Sequence, residues 1–146
     1  MKLELAIVLT CNKSGCRVAP LKDNSPIEAR YSSLVYDRIK IQPEQLVAIN
    51  TYTNPPEIVW RWIRAAVIEL TPGIVVVDEM QGHSAKVSPV QELPLRLELD
   101  DEIWTCGTGH DFEIHDIIVD GKPAHPDLLL KYITPIIEGI YRNKRV

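Results

Sequence analysis

RIKIQPEQLVAINTYTNPPEIVWRWIRAAVIEL, residues Arg38 to Leu70, is the stretch whose reading decides the fold. Arg38 and Lys40 alternate with Ile39 and Ile41, the two-residue period of a strand. Pro43 and Glu44 break the run, and Leu46 to Ile49 is a short apolar segment bounded by turn residues. Asn50 to Pro56 is polar and proline-rich, a loop. Ile58 to Leu70 is apolar at nearly every position, so periodicity does not separate strand from helix. Its β-branched and aromatic content favours a long strand, with a helix as the competing reading.

Outward from this centre, the remaining segments are short and separated by turn chemistry. Leu3–Thr10 reads as a first strand, Asn12–Gly15 as a turn and Cys16–Leu21 as a second strand, with Pro20 suited to an edge or bulge. Lys22–Pro26 is a dense turn signal. In Ile27–Ser32, Ile27, Ala29 and Tyr31 share one face, and Glu28 and Arg30 the other. Ile74–Val77 reads as a buried strand. Ala85–Val90 and Leu93–Leu99 alternate, Ile103–Cys106 and Phe112–Val119 are strands, and Asp120-Gly121 is a turn. Asp127–Tyr141 carries an apolar stripe of Leu129, Tyr132, Ile133, Ile136, Ile137 and Ile140 at helical spacing. Pro135 inside it predicts a kink or two short helices, and Asp127 is the expected cap. Many short strands at regular spacing point to barrels.

Composition bounds the function. The chain has 146 residues, 45% hydrophobic and 25% charged, values of an ordinary packed domain. The first apolar run is short and lacks a cleavage site, so it reads as a strand and the protein as cytoplasmic, with no membrane partner. Three cysteines, an odd number, argue against a secreted disulfide framework. Cys11 and Cys16 flank the first turn as thiols, with a regulatory disulfide across it as the alternative. The net charge of −4 is unevenly spread: residues 1–64 hold nine Lys and Arg against six Asp and Glu, and residues 65–146 hold seven against fourteen. A mildly basic first half is compatible with a polyanion, which the second half would repel.

The first half resembles a known family. AIVLT, GCRVAPLKDNSPIEARYSS and RIKIQPEQLVAINTYTNPPEIVWRW follow, in order, the pattern of the oligonucleotide-binding (OB) barrel of bacterial translation initiation factor one and related ribosomal repeats. Arg17-Val18, Asp23-Asn24, Glu28-Ala29, Arg38-Ile39, Pro43-Glu44 and Val47 fall at matching places, over roughly residues 5–64. The family's turn glycines are replaced here by Asn24-Ser25 and Pro43-Glu44-Gln45, and the family's basic charge is not matched. The resemblance implies a five-strand barrel and a single-stranded nucleic acid as ligand. A second likeness, to Tudor-type barrels, lies in LVAI, VWRWIRAAVIEL and GIVVVDEM. Glu79-Met80 stands where the aromatic cage residue belongs, so that function does not carry over.

Single strands are held by cations that follow the backbone and by aromatic platforms that stack on bases. Arg17, Arg30, Tyr31, Arg38, Lys40, Trp60, Arg61 and Trp62 are the candidates, with Tyr36 nearby. The structural alternative places Trp60 and Trp62 in a core and pairs the arginines with acids. Cys106, His110 and His115, with His125 further on, are weak metal candidates, because imidazole and thiolate suit zinc. Their spacing, C-x3-H-x4-H, fits no metal motif. No P-loop, GxGxxG, HExxH or GxSxG occurs, and no cofactor is implied.

The expectation is a mostly β protein of small OB-like or SH3-like barrels with a C-terminal helix. Residues 1–64 would form the first barrel, and residues 65–146 a second small β unit plus the helix. The expected function is non-enzymatic binding of RNA or single-stranded DNA. The alternative is an adaptor or homo-oligomer subunit using the Trp strand and the Ile-rich helix, and a metal-dependent enzyme is the third reading.

Overall fold

The computed structural model describes residues 1–33, 41–71, 74–79, 83–89, 96–108 and 111–144. The chain is mostly β, 50% strand, with one C-terminal helix. In order the elements are β1 Leu3–Cys11, β2 Gly15–Pro20, β3 Ile27–Tyr31, β4 Leu46–Asn50, β5 Glu57–Thr71, β6 Ile74–Glu79, β7 His83–Pro89, β8 Glu102–Thr108, β9 Asp111–Val119, β10 Lys122–Pro123 and α1 Pro126–Lys144. They divide into two compact units, Met1–Arg61 with Leu130–Val146, and Trp62–Leu129. The helix, grouped by the sequence reading with residues 65–146, belongs from Leu130 onward to the first unit.

In the first unit β1 pairs antiparallel with β2 and β4, and β2 antiparallel with β3. β3 meets β5 in parallel, Arg30 opposite Glu57 and Tyr31 opposite Ile58. β5 also pairs with β4, so the strands run 1-2-3-5-4 in a partially closed ring compatible with an OB-like barrel. The inside is apolar: Ala6, Val8, Val18, Ala29, Val47, Ile49 and Ile58 are buried together. Each fully buried Val or Ile contributes about 1.5–3 kcal/mol relative to exposure, which makes this ring the reason the first third of the chain folds. Gly15 is required where β2 begins. A Cβ there would collide with the carbonyl oxygen of Ala29 and lie 2.8 Å from Arg30 Cα.

The second unit repeats the order. The later part of β5 pairs antiparallel with β6 and β8, β6 antiparallel with β7, and β8 antiparallel with β9. β7 meets β9 in parallel, Val87 opposite Phe112. The connections 5-6-7-9-8 thus reproduce 1-2-3-5-4, including the single parallel closure. Ala65, Val67, Ile103 and Ile114 form its buried cluster. Asp120 and Gly121, both at positive φ (53° and 77°), make the two-residue turn that lets β10 pair back on β9.

Ile58–Leu70 is strand, as its β-branched and aromatic content favoured. Two local expectations change. Arg96–Leu99, read as part of an alternating strand, is not one. The Asp101 carboxylate accepts the Glu98 N–H at 2.8 Å, and Asp101 N–H donates to the Glu98 carbonyl at 3.3 Å, so a side-chain turn outcompetes the ladder. α1 is one element of 19 residues despite Pro135, and Pro126 rather than Asp127 opens it. Proline suits the first helical position, where an N–H has no intrahelical partner. Leu129, Ile133 and Ile137 are fully buried.

Candidate ligand face of the first unit

Registry on β2 and β3 sorts the predicted residues. Arg17 stands opposite Glu28, Cys16 opposite Ala29 and Gly15 opposite Arg30. Side chains alternate across a strand, so Arg17, Glu28 and Arg30 share the outer face while Cys16, Val18 and Ala29 enter the core. Arg17 and Arg30 are diagonal neighbours on that face, both exposed. Arg30 donates to Glu57 Oε1 from Nε at 3.2 Å and from Nη2 at 2.7 Å. The guanidinium side chain is 50% exposed. A pair this open is worth about 0–1 kcal/mol, too little to withhold Arg30 from a phosphate.

Tyr31 is on the inner side. Its ring packs against the core cluster and its hydroxyl donates to the Asn12 carbonyl at 2.9 Å. Burial, then the neighbouring Cys16 thiol, pushes its pKa well up. It is therefore not a base platform in this conformation. Trp60 is half-buried, and its indole N–H is shielded from solvent with no acceptor among the described residues. Arg61 is half-buried beside it. Arg38, Lys40 and Tyr36 lie outside the described residues. The face the structure brings together is thus Arg17 and Arg30, bordered by the hairpin turn after β1 and by the Asn50–Pro56 loop before β5.

Trp62 belongs to the second unit and is fully buried, so it cannot stack on a base as it stands. Its indole N–H donates to His115 Nδ1 at 2.9 Å, and the rings meet edge to face with centroids 6.2 Å apart. An acceptor Nδ1 places the imidazole proton on Nε2, which lies 3.4 Å from Glu113 Oε2. Burial pulls the His115 pKa below its ordinary value, against an opposing pull from Glu113. Both ring nitrogens are engaged, which removes His115 as a ready metal ligand. Cys106 is half-buried and His110 lies outside the described residues. Among the described residues no three His, Cys, Asp or Glu side chains are grouped to hold a metal.

The structural role of Asp116 was not foreseen from the sequence. It is fully buried, accepts the backbone N–H of Ile117 at 2.8 Å and of His125 at 2.6 Å, and lies 2.9 Å from His125 Nδ1. The His125 carbonyl in turn accepts the Leu129 N–H at 3.1 Å. The carboxylate ties the end of β9 to His125, the residue immediately before α1. An acid between Ile114 and the Ile117-Ile118 pair was the visible signal.

No family model matches the chain, and no curated protein matches it in sequence. No helix among the described residues is long and apolar enough to cross a membrane.

Proposed function

We propose that the protein is a non-enzymatic binding module whose first unit holds single-stranded nucleic acid, RNA or DNA, in the manner of the initiation-factor-one type of OB barrel. The observation that carries the reading is the outer face of β2 and β3, where Arg17 and Arg30 sit on a five-strand ring. Charge by unit supports it. Met1–Arg61 with Leu130–Val146 holds twelve Lys and Arg against seven Asp and Glu, whereas Trp62–Leu129 holds four against thirteen. Residues 1–61 contribute eight of those cations against six anions, and Leu130–Val146 four against one, so the ring itself is mildly basic and the helix end supplies the larger part of the excess. Arg38, Lys40, Trp60 and Arg61 extend the proposed contact set. Backbone phosphates supply the binding energy and Trp60 the stacking.

Fluorescence anisotropy with labelled single-stranded RNA and DNA at several salt concentrations tests the reading. Affinity falls steeply with salt, and Arg17→Ala lowers the log–log slope by about 0.7, the share of one phosphate on a single strand. Binding that ignores salt, or no binding to any single strand, removes it.

The second reading is a subunit surface for another copy of the chain. Its support is apolar exposure in the second unit: Leu99 is 58% exposed and Ile68 46%. Asp100 N–H donates to the Val67 carbonyl at 2.8 Å, so the backbones next to Leu99 and Ile68 meet. The Trp strand and Ile-rich helix serve this reading less well, because Trp62, Ile133 and Ile137 are already buried within the chain. Light scattering over a concentration series tests it: mass rises with concentration if the reading is right, and stays monomeric if not.

A further inference from the structure

We propose that Cys11 and Cys16 form a thiol–disulfide pair, oxidised by low-molecular-weight disulfides, that closes a covalent cross-link at the foot of the β1–β2 hairpin. The inference is independent of the nucleic-acid reading.

Three features place the two thiols for this chemistry. Cys11 stands directly opposite Cys16 in the ladder. Asn12 N–H donates to the Gly15 carbonyl at 2.9 Å, which makes Asn12–Gly15 a hydrogen-bonded pair. Such pairs alternate with non-hydrogen-bonded ones, so Cys11–Cys16 is of the second kind, with Cα atoms about 4.5 Å apart and side chains at their closest. That separation lies within the range a disulfide spans without moving the backbone. The sulfurs are already neighbours, 2.6 Å apart, and both cysteines are free thiols.

The turn is held independently of the thiols. Asn12 Oδ1 accepts the N–H and the hydroxyl of Ser14, each at 2.9 Å, and the Gly15 N–H at 3.1 Å. Oxidation therefore joins two sulfurs that the hairpin already presents to each other.

Exposure sets the order of events. Cys11 is half-buried, and Cys16 is 1% exposed. The Cys11 thiolate attacks one sulfur of the external disulfide and expels a thiolate, leaving a mixed disulfide on Cys11. That leaving thiolate takes the Cys16 proton. The Cys16 sulfur then attacks Cys11 Sγ and expels the second external thiol. Two electrons leave the protein sulfurs, and the external disulfide becomes two thiols. With Cys11 still a thiol, the Cys16 thiol is pushed up to about 12, chiefly by burial; the burial persists when Cys11 carries the mixed disulfide, so the second step is the slow one near neutral pH. It also removes the proton that Cys16 directs at the Tyr31 hydroxyl oxygen, 3.5 Å away.

The test uses the whole chain in buffers of reduced and oxidised glutathione, quenched with acid, blocked with N-ethylmaleimide and digested with trypsin without reduction. Lys13 lies between the two cysteines, so Leu3–Lys13 and Ser14–Arg17 stay together only if a disulfide joins them. The expected result is a linked peptide pair, with Cys106 recovered separately. Closure from the mixed disulfide speeds up about tenfold from pH 7 to pH 8, following the thiolate fraction of Cys16. Cys16→Ser stops at a glutathione adduct on Cys11. Recovery of the two peptides as separate blocked or glutathionylated species in the most oxidising buffer overturns the proposal, as does linkage of Cys11 to Cys106 or to a second chain.

Discussion

Glu44 occupies the third position of the turn Gln42–Gln45 with φ of 72°, and Gln45 N–H donates to the Gln42 carbonyl at 3.4 Å. Proline at the second position and positive φ at the third define a type II turn, which glycine fits without steric cost. Glu44→Gly is predicted to raise stability by about 0.5–1 kcal/mol, read as a higher urea midpoint at unchanged slope; a lower midpoint contradicts the turn assignment. Gly15 works in the opposite sense. Gly15→Ala drives a Cβ into the β3 backbone and lowers stability by about 2 kcal/mol or more, in the range of overpacked sites. His115 supplies a pH dependence. Its folded pKa lies below the ordinary 6.5, so the unfolded chain binds a proton more readily than the folded one. The stabilising contribution is complete above 6.5 and is lost as pH falls from 6.5 through the folded value. Protonation of Nδ1 also removes the acceptor for the Trp62 N–H. His115→Gln, which keeps an acceptor but does not titrate, should show a smaller drop in urea midpoint between pH 7 and pH 5.5 than the wild type; an equal drop refutes the assignment.

At the scale of elements, the tie between β9 and α1 is the clearest case of a polar group holding secondary structure in place. Asp116→Ala leaves two backbone N–H groups without their acceptor in a buried setting, at a cost of about 2–4 kcal/mol in chemical denaturation, while Asp116→Asn costs less because one oxygen remains. A loss below 0.5 kcal/mol for the alanine variant rejects this role. Neither Asp116 nor its partner His125 announces the pairing in sequence, because the contact spans a hairpin whose register is a matter of tertiary structure. β1, β2 and β3 were legible because alternation and dense turn chemistry frame them. β5 was legible as a strand but not as one member of two rings. Its apolar residues occupy both faces, and nothing between Trp60 and Ala65 marks where one set of partners ends and the next begins. Arg96–Leu99 misled because an alternating pattern cannot reveal that Asp101 captures the Glu98 N–H.

Across the whole molecule, the same strand order is built twice, from segments with no evident sequence repeat. A ring order is a statement about pairing, and very different side chains satisfy it as long as each strand buries one face. The charges of the two units then part company, twelve cations to seven anions in one and four to thirteen in the other. Of the candidate ligand residues, Arg17 and Arg30 stay on an outer face, whereas Tyr31 turns inward and Trp62 is buried. Alternation in β3 already pointed Tyr31 away from Arg30. The central claim is that a single strand lies on the β2–β3 face of the first unit. Amide chemical-shift mapping of the labelled protein with a short single-stranded RNA tests it most directly. The predicted shifts fall in Asn12–Pro20, Ile27–Tyr31, Arg38–Lys40, the Asn50–Pro56 loop and Trp60–Arg61; shifts centred within Trp62–Leu129, or none at saturating RNA, contradict the claim.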